Sequence, residues 1–95
     1  MPVEFEWDEW KREINLTKHG VDFVRAARCL IGPVIYRRDT RDGYGEARFV
    51  AIGRLEGLMV AVVFTPRGDT LRLISARKAN RREQAAYRAL RPEEA

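Results

Sequence analysis

Apolar side chains in the first third of the chain change from alternating to helical spacing. Residues 3–7 alternate apolar and acidic residues, which predicts a short strand with one buried face. Helical spacing follows over residues 9–18 and 23–30, and an aspartate that can cap a helix precedes each segment. A glycine follows each segment, at Gly20 and Gly32, where helices commonly end. The pattern therefore predicts one strand followed by two helices.

Strand spacing continues from Val34 to Ala76. The predicted strands cover 34–38, 46–55, 58–64 and 70–76, and the predicted connections are a polar turn at 39–45, a tight hairpin at Glu56–Gly57 and a turn at Pro66–Asp69. The third of these strands is apolar throughout, which predicts a central position in the sheet. Alternation in the last strand places Leu71, Leu73 and Ser75 on one face and Arg72, Ile74 and Ala76 on the other.

Helical spacing returns near the end of the chain. Asn80, with Glu83 three residues later, is typical of a capping box at a helix start. The side chains that share one side of this helix are Ala79, Glu83, Ala86, Tyr87 and Leu90. The element order β-α-α-β-β-β-β-α predicts an α+β fold, with a small antiparallel β-sheet, two N-terminal helices and one C-terminal helix. We expect one domain over residues 1–91 and a frayed tail over 92–95.

Positive charge is concentrated near the C-terminus. The formal net charge is +4, and residues 66–91 carry eight Lys and Arg against two Asp and Glu, whereas residues 1–65 are balanced. Fifteen of the 18 cations are arginine, whose planar guanidinium binds phosphate through two oxygens at once. This distribution favours a polyanionic partner, although a solvated basic face that keeps the protein soluble has the same charge pattern.

Composition excludes several classes of protein. The N-terminus lacks a basic region followed by an apolar one, and no apolar run approaches the roughly 20 residues that span a bilayer, so we expect a cytoplasmic protein without membrane contact. Cys29 is the only cysteine, and its apolar neighbours predict a small buried side chain. With one histidine and no metal-binding or phosphate-loop motif, we expect no metal ion and no cofactor. RNA cleavage suits such a set, because the 2′-hydroxyl of the RNA is the nucleophile.

Several side chains have both a structural and a functional interpretation. His19 at a helix C-terminus is either a general acid or base or a partner for the last carbonyls. Arg72, in mid-strand among apolar residues, requires an anionic partner. Tyr87 either presents a phenol to a phosphate or packs in the core, and Glu83 suits a capping box better than a general base. Arg48 and Arg54 share one face of their predicted strand.

Three segments resemble the signature blocks of the BrnT toxins, the ribonuclease half of a type II toxin–antitoxin pair. The segments read FEWDEWKREINLTKHGVDFVRAA, GEARFVAIGRL and LRLISARKANRREQAAY, and together they extend from Phe5 to Tyr87. The resemblance implies a RelE-like fold and metal-independent endonucleolytic cleavage of RNA that arrests growth. It also implies a cognate BrnA-like antitoxin of the ribbon-helix-helix type, in a complex that neutralises the nuclease and binds operator DNA through the antitoxin. A 2:2 heterotetramer would suit a two-fold symmetric DNA-binding partner.

Site residues are transferred from the matching motifs. The positions that the motifs supply are Lys18, His19, Glu46, Arg48, Arg72, Ser75, Arg77 and Lys78. The predicted catalytic set is His19, Lys18, Arg48, Arg72, Arg77 and Tyr87, and the predicted RNA-binding set is Lys78, Arg81, Arg82 and Arg54. In this interpretation His19 carries the proton, with Tyr87 in reserve, and the arginines hold the scissile phosphate. The alternative is a module of the same fold that binds nucleic acid or docks an antitoxin without catalysis.

Overall fold

The chain folds into one five-stranded sheet with helices on both of its faces. A computed structural model describes residues 3–40 and 45–94, so the part of the predicted polar turn at 41–44 lies outside the described residues. The elements are β1 (Glu4–Glu6), α1 (Glu9–His19), α2 (Phe23–Ile31), β2 (Val34–Asp39), β3 (Arg48–Leu55), β4 (Leu58–Arg67), β5 (Thr70–Lys78) and α3 (Arg81–Leu90). The predicted α+β class and element order are confirmed. A short 3-10 helix covers Pro92–Glu94, where the sequence predicts a frayed tail.

The sheet is mixed, which corrects the prediction of a purely antiparallel one. Its strand order is β1-β5-β4-β3-β2, and the four strands from β2 to β5 form the predicted antiparallel meander. β1 pairs in parallel with β5, with Glu6 opposite Arg72. The alternation of a three-residue strand reveals a buried face but not the direction of its partner, which lies more than 60 residues later in the chain.

Local capping fixes the helix ends as predicted. Asp8 accepts a hydrogen bond from the backbone N–H of Trp10, and Asp22 accepts one from Val24. Gly20 adopts the left-handed conformation that ends α1. At α3, the Asn80 side chain accepts from the Glu83 N–H while the Glu83 carboxylate accepts from the Asn80 N–H, so the predicted capping box is present.

Each face of the sheet carries its own hydrophobic core. One core lies under α1 and α2 and is formed by Val21, Phe23, Ala26, Ala27, Cys29, Val60, Val62, Leu73 and Ala76. The other lies under α3 and is formed by Val50, Ile52, Met59, Ala61, Val63, Ala79 and Tyr87. β4 supplies residues to both cores, which confirms its predicted central position.

A β-bulge in β5 overturns part of the predicted alternation. Ser75 lies opposite Val63 and Leu73 lies opposite Phe64, so Ile74 is an additional residue in β5. Leu73 and Ala76 consequently both pack in the α1–α2 core, while Ile74 packs in the α3 core. Ser75 and Ala76 therefore lie on the faces opposite to those that simple alternation predicts. The bulge is defined by the pairing of β5 with β4, so the sequence of β5 alone does not reveal it.

The structure confirms one of two predicted turns and shortens the other. The Glu56–Gly57 hairpin is confirmed, and both residues have positive φ, at 51° and 81°. The predicted turn at Pro66–Asp69 is shorter than expected, because β4 continues to Arg67 and Pro66 lies opposite Leu71.

Replacement of Gly53 tests the contact between α2 and the sheet. A Cβ at this position would lie 2.6 Å from the Cys29 Sγ and 2.9 Å from the Val34 Cγ1, too close for either atom to remain in place. We expect Gly53→Ala to lower the free energy of unfolding by about 1–3 kcal/mol in urea titrations. Adding Cys29→Ala should recover part of that loss, because it removes the closer of the two atoms.

Gly32→Ala is the matched control for this substitution. A Cβ on Gly32 meets only the Cys29 carbonyl oxygen, at an ordinary contact distance of 3.7 Å. This variant should be as stable as the wild type or slightly more stable. Equal destabilisation by both substitutions would show that close packing at Gly53 is not the cause.

Candidate active site

A cleft of about 460 Å³ opens on the α3 face of the sheet, near the C-terminal end of α1. Its lining residues are His19, Arg37, Asp39, Arg48, Val50, Val63, Ile74, Ser75 and Arg77. Aliphatic side chains from the sheet form its floor, and three arginines, one histidine and one aspartate stand around them. The cleft thus combines positive charge with a group that can transfer protons.

Asn15 connects the end of α1 to β5 and so places His19 at the cleft. Its Nδ2 donates to the carbonyl oxygens of Val21 and Ala76, both at 2.9 Å, and its Oδ1 accepts from the Ala76 N–H at 3.1 Å. β1 ends opposite Arg72, so at Ala76 the Asn15 amide takes the place of a neighbouring strand. Asn15 begins the N-x-x-K-H-G-V motif, and sequence reasoning did not assign it a role.

Glu83 holds Arg77 in the wall of the cleft. The Nη1 and Nη2 atoms of Arg77 donate to the Oε1 and Oε2 atoms of Glu83, at 2.7 and 3.0 Å respectively. Arg37 approaches the same carboxylate at 3.4 Å, and the Glu83 side chain is only 5% exposed. Burial alone would raise the pKa of Glu83, but the hydrogen bonds from Arg77, the Asn80 backbone and Arg37 keep it below its usual value. Glu83 therefore remains ionised and joins the capping box of α3 to two cleft arginines.

Arg48 and Asp39 enter the cleft from neighbouring strands. They are cross-strand partners, at the start of β3 and the end of β2. Arg48 is a predicted catalytic residue, whereas sequence reasoning placed Asp39 in a polar turn. Asp39 is in fact 7% exposed and belongs to a strand. The signal that could have found it is its position two residues after Arg37, which puts both side chains on the same face of β2.

Three predicted catalytic residues lie outside the cleft. Lys18 is exposed beside Trp10 and Ile14 on α1. The Arg72 Nη1 donates to the Glu6 Oε2 at 2.6 Å, so Arg72 has the anionic partner that its apolar surroundings require, at the β1–β5 junction. Tyr87 is completely buried, and its hydroxyl donates to the Pro33 carbonyl oxygen at 3.0 Å.

The other predicted positions also lie apart from one another. Lys78, Arg81 and Arg82 are exposed at the junction between β5 and α3, as predicted. Arg54 is exposed at the opposite end of β3 from Arg48. Glu46 forms a salt bridge with Arg67 at 3.3 Å. The structure thus brings together His19, Arg48, Ser75 and Arg77 from the predicted positions, and adds Arg37 and Asp39.

Other chemical groups are accounted for within the described residues. Burial raises the pKa of the Cys29 thiol to about 11, in agreement with its predicted role as a small core side chain. Across residues 3–40 and 45–94, no three His, Cys, Asp or Glu side chains are grouped as metal ligands would be. In the same part of the chain, no helix has the length and apolar character needed to cross a bilayer.

Comparison with known proteins identifies the family of the chain. Residues 7–83 match the family model described as "Ribonuclease toxin, BrnT, of type II toxin-antitoxin system". The structure is similar to the crystal structure of the ribonuclease toxin BrnT from Brucella abortus, with 33% sequence identity and a TM-score of 0.62 over 84% of this chain and 100% of that one. No curated protein gives a significant match. The chain belongs to the BrnT family of ribonuclease toxins of type II toxin–antitoxin systems.

Proposed function

We propose that this protein is a growth-arresting endoribonuclease that cleaves RNA without a metal ion in the cleft between α1, β5 and the β2–β3 strand ends. The observation that carries this proposal is the meeting of His19, Arg48 and Arg77, from three separate elements, around one cavity. Each of these residues also lies in one of the three segments that resemble the family's signature blocks. Family membership supports ribonuclease activity in general, and the cleft supports this particular site.

The proposed reaction is attack by the RNA 2′-hydroxyl on the adjacent phosphorus. The O2′–P bond forms as the P–O5′ bond breaks, which leaves a cyclic phosphate and a 5′-hydroxyl. The 2′-hydroxyl loses a proton and the departing 5′-oxygen gains one, so the site must move protons as well as hold charge. His19 is the proposed proton carrier, because imidazole exchanges protons near neutral pH.

Arginine supplies the electrostatic part of this mechanism. Negative charge builds on the non-bridging oxygens as the pentavalent phosphorane forms, and guanidinium groups fixed beforehand stabilise that charge most effectively. Arg77 from β5 and Arg48 from β3 line the cleft in which the phosphorane would form, and Arg37 lines it from β2, the strand next to β3. Lys78, Arg81 and Arg82 are proposed to bind the flanking RNA backbone, so RNA affinity should fall steeply with salt.

The proposed partner is a cognate BrnA-like antitoxin. Type II membership supports a protein that neutralises the nuclease. A ribbon-helix-helix antitoxin in a 2:2 assembly would match the two-fold symmetry of a palindromic operator. We place this complex, like the toxin, in the cytoplasm.

The first test is cleavage of a defined single-stranded RNA by the purified, partner-free protein in EDTA. The wild type should cleave, and Arg77→Ala or His19→Ala should lower the rate by about 100-fold or more, because each removes a group acting on the reacting atoms. Arg28→Ala is the matched control, since it removes an exposed cation on α2, on the other face of the sheet from the cleft, and should change the rate less than about twofold.

Other outcomes of this experiment are informative. RNA that is retarded in a gel but never shortened would support a binding module instead of an enzyme. Cleavage that requires added divalent metal would contradict the metal-independent mechanism. Equal loss in Arg77→Ala and Arg28→Ala would show that general positive charge, and not the cleft, determines the rate.

Glu83→Gln tests whether the buried carboxylate positions Arg77. Glutamine at this helix position still suits a capping box, but it lacks the charge that holds the guanidinium. We expect the cleavage rate to fall by about 10- to 100-fold while RNA affinity changes little, because the position of Arg77 is lost and its charge is kept. Asn80→Ala, which weakens the cap and leaves the Glu83–Arg77 pair intact, should cleave nearly as fast as the wild type. A reversal of the two effects would assign Glu83 a capping role only.

The same carboxylate should make stability depend on pH. Because the folded-state pKa of Glu83 is lowered, its contribution is fully present above the ordinary value of 4.5 and is lost as the pH falls through the folded-state value. The difference in free energy of unfolding between the wild type and Glu83→Gln should therefore shrink on acidification, as measured by urea titration. Glu13→Gln, at an exposed position, is the control and should show little change. A constant difference would argue against an ionised, paired Glu83.

A further inference from the structure

A second, larger groove lies next to the cleft, between α3 and strands β2 and β3. It encloses about 610 Å³ and is lined by Ile35, Tyr36, Arg37, Val50, Ile52, Asn80, Arg82, Glu83, Ala86 and Leu90. Most of its apolar lining is aliphatic. Tyr36 and Leu90 are each 68% exposed, although both are large hydrophobic side chains. The proposed cleavage reaction uses neither of them.

The exposed charged side chains around this groove are all positive. Arg37 and Arg82 are exposed in its lining, whereas the one carboxylate there, Glu83, is buried and already bonded to Arg77 and Arg37. An occupant with apolar side chains for the floor and carboxylates for the rim would complement both parts. A nucleic acid fits less well, because bases stack best on aromatic rings and this floor is mainly aliphatic.

We propose that this groove docks an amphipathic, acidic segment of the cognate antitoxin, an inference that rests on the proposed function. Ile35, Ile52, Ala86 and Leu90 would receive the apolar side chains, and Arg37 and Arg82 would pair with carboxylates at the edge. Ten residues line the groove, fewer than the roughly 20–30 that each partner contributes to a stable protein complex, so it anchors one segment within a larger interface.

The position of the groove explains how docking would stop cleavage. Arg37, Val50 and Glu83 connect the two sites: Arg37 and Val50 line both, and Glu83 in the groove binds Arg77 in the cleft. A carboxylate that pairs with Arg37 from the groove would compete with an RNA phosphate for the same guanidinium. The antitoxin would thus neutralise the toxin at the edge of the cleft without occupying all of it.

The test uses the double variant Ala86→Phe with Leu90→Gln, in the full-length protein. Phenylalanine fills the groove and glutamine removes its exposed aliphatic wall, and neither adds charge near the RNA. Both positions are exposed, so the fold should be retained, which far-ultraviolet circular dichroism and urea unfolding would verify. Trp10→Gln is the matched control, because Trp10 is 70% exposed on α1, outside the groove lining.

Binding of purified cognate antitoxin is measured directly by calorimetry, and RNA cleavage is measured separately without antitoxin. The double variant should bind antitoxin at least about tenfold more weakly, while Trp10→Gln should bind like the wild type. Cleavage by all three free proteins should agree within about twofold. For the wild type, affinity for the antitoxin should also fall as salt is added, because part of the contact is ionic.

Two results would overturn the docking proposal. One is antitoxin binding by a folded double variant that equals wild-type binding. The other is a large loss of RNA cleavage by the free double variant, which would make the groove part of the RNA site. If the wild type cleaves no RNA, the proposed nuclease function fails, yet the binding comparison still decides whether the antitoxin occupies the groove.

Discussion

The additional residue in β5 determines what the cleft contains. Without the bulge at Ile74, strict alternation would place Ser75 and Arg77 on the α1–α2 face, within a closed hydrophobic core. With it, both side chains reach the α3 face, where Arg48 and His19 also arrive. A bulge weakens the ladder on its own strand, and the Asn15 amide bonds both backbone groups of Ala76 close by. The same amide sets the position of His19. The irregular strand β5 therefore positions its own side chains in the cleft and, through Asn15, the end of α1 as well.

Glu83 illustrates why a costly interaction can be retained. Burying a carboxylate and its arginine partner contributes little net stability, because desolvation offsets most of the attraction. The geometry, however, is specific: two parallel hydrogen bonds fix the plane of the Arg77 guanidinium, and the helix cap fixes the carboxylate. Loss of either partner would leave a charge that is partly or fully buried. The fold therefore requires an arrangement that also fixes the guanidinium to which the proposed mechanism assigns the phosphate.

Sequence alone predicted the features that depend on local chemistry. Asp8, Asp22 and the Asn80–Glu83 pair cap helices through contacts within three residues. The uniformly apolar segment 58–64 of β4 indicates a central strand. Features that depend on distant partners were missed or misplaced. The parallel pairing of β1 and the bulge in β5 both require knowledge of another strand.

The candidate site follows the same division. His19, Arg48 and Arg77 were identified from residue type and motif, and the structure brings them together. Tyr87 and Arg72 are also side chains that can bind a phosphate. In the structure, however, the Tyr87 hydroxyl donates to the Pro33 carbonyl oxygen in the core, and Arg72 pairs with Glu6. Asp39 and Asn15 are harder to identify from the sequence, because their importance arises from the groups that the fold places beside them. Residue type thus identifies candidate site residues. Contacts with residues distant in the sequence decide which of them line the cleft and which lie elsewhere.

The charges of the cleft bear on both the proposed substrate and the proposed docking of the antitoxin. Arg37, Arg48 and Arg77 repel one another across a small cleft, and the carboxylates of Asp39 and Glu83 offset part of that repulsion. An RNA phosphate would relieve more of it, and so would a carboxylate from a protein partner. Arg37 is the side chain through which either could act, because it is 58% exposed and lines both the cleft and the groove. The charge arrangement that would favour RNA in the cleft would, for the same reason, favour an acidic inhibitor at its edge.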